Sequence, residues 1–140
     1  MLYVIPLTIL PWIVFNIVAF AFGYDVWDRQ VFSLTMISGQ PWAFFIRDLM
    51  VIFGLACLFF EVLRSTSSNA RVITNHILST VVLILFLIEF IVVGRAAHSV
   101  FFILMILSLF DVMSGFTITI KTSQRTMSYT STEEHHRGPQ

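Results

Sequence analysis

Charged side chains are scarce in this sequence. They make up 11% of the 140 residues, whereas apolar side chains make up 57%. A soluble domain of this length carries charge on about a quarter of its residues, so the deficit excludes an ordinary water-exposed surface. Lysine and arginine balance aspartate and glutamate, and the net charge is zero. Such a chain has no overall field that would attract nucleic acid, and we expect no nucleic-acid partner.

Cysteine is nearly absent as well. The single Cys57 lies in an apolar run, so the chain cannot form a disulfide framework. Because the thiol has no basic neighbours to activate it, we interpret Cys57 as a small apolar side chain in a helix. The N-terminal residues also lack the pattern of a cleavable leader. Residues 1–3 carry no basic side chain, and 19–22 alternate alanine with phenylalanine, so we expect the first apolar segment to be retained.

The chain has long apolar segments instead. About 20 apolar residues form a helix that crosses the roughly 30 Å of hydrocarbon in a bilayer. Four windows reach that length, at about residues 3–22, 43–63, 72–93 and 99–120. Pro6 and Pro11 fall in the first window, where a membrane helix tolerates them with a kink. The sequence therefore predicts an all-α membrane protein, a four-transmembrane-helix bundle within residues 1–121, with the lipid bilayer as its surroundings.

The positive charges of the connecting segments predict the orientation of this bundle. Cytoplasmic segments of membrane proteins are enriched in lysine and arginine. The connection after the second window and the C-terminal segment hold five such residues, against two on the other side: Arg64, Arg71, Lys121, Arg125 and Arg137 against Arg29 and Arg95. We therefore expect both termini in the cytoplasm, N-in and C-in.

Two segments lie outside the windows. The connection 24–42 mixes tryptophan, phenylalanine and methionine with a few charges, which is typical of a segment that lies in the membrane interface. Its residues 38–41, Ser-Gly-Gln-Pro, indicate a turn before the second span. The segment 122–140 is rich in serine, threonine and charge and predicts a disordered cytoplasmic tail.

Ionisable side chains within the windows are the candidate functional residues, because charge inside a membrane is costly and usually faces other helices. They are Arg47, Asp48, Glu61, His76, Glu89 and Asp111. From the helical rise, Arg47 and Glu89 fall at similar depths, about 10 and 8 Å outside the midplane. We predict an ion pair between them that fixes helix packing, with a proton or ion pathway as the alternative. Asp48 points about 100° away from Arg47, toward headgroups or another helix.

Glu61, His76 and Asp111 form a second group in the inner half of the bundle. These residue types suit zinc or manganese. Glu61 and His76 fall about 11 Å inside the midplane, however, and Asp111 is about 9 Å nearer to it, which argues against a shared ion. A salt bridge from Glu61 to Arg64, one helical turn on, is the alternative. His76 and His98 fall on opposite sides and cannot hold one haem. We expect no metal and no other cofactor.

Polar and small residues recur at helical spacing in three of the windows. Such residues let neighbouring helices approach closely and hydrogen-bond across their contact. The three stripes are Arg47, Gly54 and Glu61 in the second window, Asn75, Ser79 and Glu89 in the third, and Ser108, Asp111, Ser114 and Gly115 in the fourth. We expect the stripes to converge inside the bundle.

Several short motifs resemble those of one group of membrane proteins. They are Ser38-Gly39, Arg47-Asp48-Leu49 and 60–66, Phe-Glu-Val-Leu-Arg-Ser-Thr, followed by the runs 75–79, 88–90 and 110–116. The set resembles small four-span inner-membrane proteins of proteobacteria, over most of the chain from the second window onward. That group has aspartate before the histidine, where this chain has Asn75. The resemblance implies a multi-pass protein of the bacterial inner membrane and supplies no activity.

Three functions are compatible with these features. The first is a non-enzymatic membrane component: a scaffold, accessory subunit or regulator that packs against a second copy or a larger membrane protein. The second is a small oligomeric proton-coupled carrier or channel that uses Glu61, Glu89 or Asp111. Four-span small multidrug transporters are similar in size, but they carry a glutamate in the first span, where this chain offers only Asn16. The third, an intramembrane enzyme acting on a lipid or quinone, depends only on His76 and the carboxylates. No catalytic motif is present, and we favour the first.

Overall fold

The computed structural model describes residues 5–65 and 69–136, and this part of the chain is mostly helical. Four helices are joined by a hairpin and by short connections, two of them with 3₁₀ turns, Tyr24–Val26 and Gly94–Ala96. The elements in chain order are α1 Ile9–Phe22, β1 Gln30–Thr35, β2 Pro41–Phe45, α2 Ile46–Ser65, α3 Asn69–Val92 and α4 Ser99–His136.

Successive helices run antiparallel, and α4 packs along both α2 and α3. The ring of Phe90, near the end of α3, stacks over that of Phe101, near the start of α4. The imidazole of His76, near the start of α3, lies against Phe116, further along α4. Helix α1 packs mainly on α2 and reaches α3 and α4 as well. We refer to the end that carries the β-strands as the hairpin end of the bundle.

The helices carry their apolar side chains outward as well as inward. Near the hairpin end the interior is apolar, with Phe15, Trp27, Phe86 and Phe101 fully buried. All four helices also expose large apolar side chains, among them Ile17, Phe59, Ile88 and Phe110. Buried polar residues gather toward the other end of the bundle, and they are Thr8, Glu61, Ser79, Ser108 and Asp111. Polar groups inside and apolar groups outside suit an apolar solvent.

Among residues 5–65 and 69–136, two helices are long and apolar enough to cross a membrane, through the windows Thr74–Val92 and Ser99–Thr117. The second predicted span corresponds to α2. This helix has charged residues near both ends, too many for it to count as an apolar span. The first predicted span is shorter than expected, since α1 begins only at Ile9. Pro11 lies in the first turn of α1, where a missing N–H costs no helical hydrogen bond. The helix therefore starts between Pro6 and Pro11 and needs no kink. Residues 1–4 lie outside the described part.

The connection between α1 and α2 contains a β-hairpin. Strands β1 and β2 pair antiparallel, with Leu34 opposite Trp42 and Phe32 opposite Phe44. The turn lies at Met36–Gly39, two residues before the predicted 38–41, and leads into β2 rather than directly into a helix. The Gly39 amide donates to the Met36 carbonyl at 2.8 Å, and Gly39 has φ +80°, which favours glycine. Because β2 continues to Phe45, the helix predicted from residue 43 begins at Ile46. The apolar window did not distinguish the strand from a helix, because a short apolar run is compatible with either.

The predicted disordered tail is wrong as far as His136. Helix α4 continues without a break from Ser99 to His136. The sequence holds no glycine or proline between Gly115 and Gly138, so nothing in it terminates the helix. Composition alone suggested disorder, whereas the propagation of an established helix adds one hydrogen bond for each residue fixed.

Candidate functional site

Two glycines set the register of the helices around the buried polar residues. A β-carbon on Gly54 of α2 would lie 2.5 Å from Cδ2 of Leu104, and one on Gly115 of α4 would collide with the imidazole of His76. Helices can approach this closely only where one of them has no side chain. The contact of Gly115 with His76 brings the polar stripes of α3 and α4 together, and the hydrogen bond from Asn75 to Glu61 joins α2 to them. We refer to Thr8, Glu61, Asn75, His76, Ser79 and Asp111 as the polar layer.

Glu61 is the most enclosed charged group of the described chain, with 0% of its surface exposed. One carboxylate oxygen, Oε2, accepts the backbone N–H of Leu7 at 2.7 Å. The other, Oε1, accepts from the Asn75 amide and from the Arg64 guanidinium, at 3.2 Å in the latter case. The donors come from the start of α1, from α3 and from α2 itself. This carboxylate therefore joins three helices at one point.

Arg64 extends the same network to the edge of the bundle. Its Nη2 donates to Oδ1 of Asn75 at 2.9 Å and to the carbonyl of Ile5 at 2.8 Å. The predicted salt bridge between Glu61 and Arg64 is thus confirmed, at i,i+3 spacing. Arg64 is partly exposed while Glu61 is sealed, so the cation closes the layer on the side away from the hairpin.

Asp111 of α4 is the second carboxylate of the polar layer and is 5% exposed. Its Oδ2 accepts the Thr8 hydroxyl at 3.1 Å, and the Ser79 hydroxyl also interacts with it as a donor. Glu61 and His76 lie close enough to act on it electrostatically. Among the side chains that the structure describes, no lysine, arginine or histidine forms an ion pair with Asp111.

Both carboxylates bind the two residues that directly precede α1. Glu61 binds the backbone N–H of Leu7, and Asp111 binds the side chain of Thr8, the residue before the helix begins. The N-terminal end of a helix carries unsatisfied N–H groups and a partial positive charge. Anions are therefore stabilised there without a cation. The N-terminal end of α1 therefore favours both carboxylates, and Glu61 has the Arg64 guanidinium as a counter-ion in addition.

Two polar atoms in this region have no partner within the described residues. They are Nε2 of His76 and the hydroxyl of Ser108, and both atoms are buried. The His76 ring lies edge-on to Phe116, with centroids 4.1 Å apart. On α4, Ser108 precedes Asp111 by one helical turn, as the predicted stripe requires. Among the described side chains, the layer thus contains one acidic group without a cation and one imidazole nitrogen without a hydrogen bond.

Glu61, His76 and Asp111 all belong to the polar layer. His76 lies against Gly115, which is about one helical turn from Asp111 along α4, and the predicted difference in depth stays a prediction. Proximity still does not make a metal site of them. Within residues 5–65 and 69–136, no group of three or more His, Cys, Asp or Glu side chains is arranged to hold a metal ion.

The predicted ion pair between Arg47 and Glu89 is also wrong. Arg47 binds Asp28 at 2.6 Å and lies over the ring of Phe45. Glu89 accepts instead from the side-chain amide of Asn16, at 3.2 Å. The hairpin accounts for the change, because it brings Asp28 back to the start of α2 and gives Arg47 a partner at the surface. Asn16 is the one amide side chain of the first window. Its position in an apolar segment could have indicated a buried polar partner such as Glu89.

Asp48 has a local role at the start of α2. Its Oδ2 accepts the backbone N–H of Phe45 at 2.9 Å. An acidic side chain at the third helical position that reaches back to the residue before the helix is half of a capping box. The Asp48 carboxylate thus accepts a backbone N–H that would otherwise have no hydrogen-bond partner at the start of the helix. The prediction that Asp48 faces headgroups or another helix is therefore replaced by a helix cap.

Comparison of the chain with protein families, with curated proteins and with solved structures finds no match.

Proposed function

We propose that the chain is a four-span integral protein of the bacterial inner membrane, with both termini in the cytoplasm. In this proposal it catalyses no reaction and acts as a scaffold, accessory subunit or regulator of a membrane complex. Helices α1 and α2 would cross beside the two helices that are long and apolar enough to do so. The basic residues at the end with Arg64 support the orientation.

The observation that carries the proposal is how the buried carboxylates are bound. Glu61, Asp111 and Glu89 each accept a hydrogen bond from a residue in or next to α1. Truncating either partner of such a contact leaves a polar group without compensation in a low dielectric. The contacts therefore favour one arrangement of the four helices. A bundle fixed in this way presents a constant apolar surface, which is what a scaffold or subunit needs.

The outward faces of α3 and α4 offer a direct test of a partner. Single tryptophans at Ile84 and Ile88 on α3, and at Phe102 and Phe110 on α4, would enlarge side chains that the bundle leaves exposed. In membranes extracted into native nanodiscs, we expect the wild-type protein to migrate as a complex of fixed composition. Tryptophan on the face that contacts the partner should release it, while tryptophan on the opposite face should not.

The thermal unfolding midpoint of each purified variant is the control, because a change confined to the surface leaves it within a few degrees of wild type. Migration of the wild-type protein as the isolated chain, with all four tryptophan variants indistinguishable from it, would contradict a scaffold or subunit role.

A proton-coupled carrier or channel is the second candidate, and Asp111 is the observation that favours it. This carboxylate is buried, has hydroxyl donors and has no ion-pair partner among the described side chains. Such a group can bind and release a proton without breaking a salt bridge. A pathway would require a second copy, since one bundle of this size is filled by its own side chains. If proton flux into liposomes is the same for wild type, Glu89→Gln and Asp111→Asn, this candidate is excluded.

A further inference from the structure

The hairpin is the largest uncharged segment outside the helices. From Gln30 to Phe45 the sequence contains no lysine, arginine, aspartate or glutamate. Charges occur directly beside it, at Asp28 and Arg29 before β1 and at Arg47 and Asp48 after β2. Hairpins that stand in water usually carry charge, especially lysine, because it keeps open strand edges from associating. The absence of charge over this whole segment indicates surroundings other than bulk water.

The two faces of the hairpin differ in chemistry. Residues directly opposite each other in an antiparallel pair lie on the same face. The pairs of Phe32 with Phe44 and of Leu34 with Trp42 therefore share one face, which we call the aromatic face. The pairs of Ser33 with Ala43 and of Thr35 with Pro41 lie on the other face. The hairpin is thus amphipathic without charge.

The side chains of the aromatic face pack on one another, and three of them, Phe32, Leu34 and Trp42, stay exposed among the described residues. The Phe32 and Phe44 rings stack with centroids 5.0 Å apart, and the Trp42 ring lies 5.8 Å from each of them. Leu34 is 55% exposed and Trp42 46% exposed. Four apolar side chains in one ordered patch are unusual on a water-facing surface of a small protein. A partner surface is therefore expected, and it must accept apolar and aromatic groups without needing charge.

The base of the hairpin is fixed to the bundle. Trp27, just before β1, stacks on Phe15 of α1 with centroids 4.8 Å apart and is fully buried. The amides of Ile46 and Arg47 donate to the carbonyls of Arg29 and Trp27. The strands therefore begin at the same level as the end of α1 and the start of α2. With six residues in β1, the hairpin reaches about 20 Å from this level at about 3.3 Å per residue.

We propose that the aromatic face rests on the headgroup region of the outer membrane leaflet, with the Ser33 and Thr35 face turned to water. This inference rests on the proposed four-span arrangement. Tryptophan settles where lipid headgroups meet hydrocarbon, because its ring is apolar and its N–H is polar. A two-stranded sheet also keeps an open row of N–H and C=O groups along each edge. Those groups exclude the hydrocarbon itself, where they would stay unbonded, and the headgroup region supplies the water they need.

Spin labels on the two faces test the proposal in phosphatidylcholine–phosphatidylglycerol nanodiscs. We would label Leu34→Cys on the aromatic face and, as the matched control on the neighbouring residue, Ser33→Cys on the other face, with Cys57→Ser in both. Collision with oxygen reports lipid, and collision with a neutral nickel chelate reports water. We expect the ratio of oxygen to nickel collisions to be several-fold higher at position 34 than at position 33. A label at Ile84→Cys, exposed in the middle of α3, reports whether that helix lies in the membrane.

Each other outcome overturns the proposal in a recognisable way. Equal nickel access at positions 33 and 34, with Ile84 in lipid, would mean that the hairpin stands in water while the spans are correct. An immobilised label at position 34 that neither reagent reaches would mean that a protein surface or a second copy covers the face. Nickel access at position 84 would refute the spans together with the proposal that rests on them.

Tryptophan fluorescence provides a second measurement without introduced cysteines. Lipids brominated near the headgroup should quench the wild-type protein. Trp42→Phe should lose a clear part of that quenching, while Trp27→Phe, buried against Phe15, should keep it. Unchanged quenching in Trp42→Phe would contradict contact between the aromatic face and lipid.

Discussion

Each end of the bundle has an ion pair, and the two pairs differ in burial more than in distance. At the hairpin end, Arg47 and Asp28 are 2.6 Å apart, with side chains 41% and 62% exposed. In the polar layer, Arg64 and Glu61 are 3.2 Å apart, with side chains 28% and 0% exposed. The shorter pair lies in the more polar surroundings, where charges are screened and either partner can be solvated alone. The longer pair includes a carboxylate that water does not reach.

Burial and additional donors therefore decide which pair matters for stability. Glu61 has the Leu7 amide and Asn75 as further partners, whereas Asp28 has only Arg47 among the contacts described. A buried charge that loses its partners carries its full desolvation cost. An exposed charge that loses its partner is hydrated again. The difference between the ends can be measured as free energies of unfolding in mixed detergent micelles.

The largest effect is expected from Glu61→Ala. The change removes the acceptor of Leu7, Arg64 and Asn75 together and leaves a cavity, so it should lower the free energy of unfolding by about 3–5 kcal/mol. Glu61→Gln is the control, since it keeps the shape and one acceptor oxygen and should cost clearly less. Equal, small effects from both variants would show that the polar layer does not hold the helices together.

The next effect concerns how tightly α3 and α4 meet in the polar layer. Gly115→Ala places a methyl group against the imidazole of His76, and overpacking of this kind should cost about 1–3 kcal/mol. The double variant with His76→Ala should recover part of that loss, because the obstacle is a side chain. A double variant whose loss equals the sum of the single losses would mean that the two residues do not meet.

A smaller effect is expected where a carboxylate has a neutral partner. Glu89→Gln keeps an acceptor for Asn16, so unfolding should change by no more than the value typical of one hydrogen bond between membrane helices, about 0.6 kcal/mol. Asn16→Ala, which removes the donor, is the companion variant. A loss of several kcal/mol in Glu89→Gln would show that the Glu89 charge itself is needed, as a pathway would require.

The smallest effect is expected at the exposed pair. Asp28→Asn should change the free energy of unfolding by about 0.5 kcal/mol or less, and added salt should reduce even that difference. Arg47→Gln, which removes the other partner, serves as the comparison. A cost similar to that of Glu61→Ala would remove the distinction between the two ends.

Apolar length predicted four helices, but it misplaced the starts of α1 and α2 and the end of α4, and it did not predict how the helices meet. Three of the four residues of the predicted stripe on α4, Ser108, Asp111 and Gly115, are buried, and Ser114 is half-buried, because spacing determines the face of a helix. Which helix faces that stripe, and at what height, depends on contacts such as Gly115 with His76. Those contacts join residues far apart in the sequence and leave no local pattern.

The hairpin and the partner of Arg47 were missed for a related reason. An apolar run such as Pro41–Phe45 suits a strand as well as a helix, and the choice depends on its pairing with β1. Once the hairpin forms, Asp28 comes within reach of Arg47. A prediction from depth alone compared only residues inside the windows and so assigned Arg47 to Glu89.

The uninterrupted helix α4 has a mechanical consequence. Its apolar window ends at Thr117, but the helix ends at His136. At about 1.5 Å per residue, the remainder is a rod about 28 Å long. A tilt of about 10° at Thr117 would swing the far end through about 5 Å, by the geometry of a rod of that length. Asp111 and Gly115 lie within two helical turns of Thr117. A small change in how α4 packs in the polar layer would therefore produce a larger displacement at His136, the end of the helix.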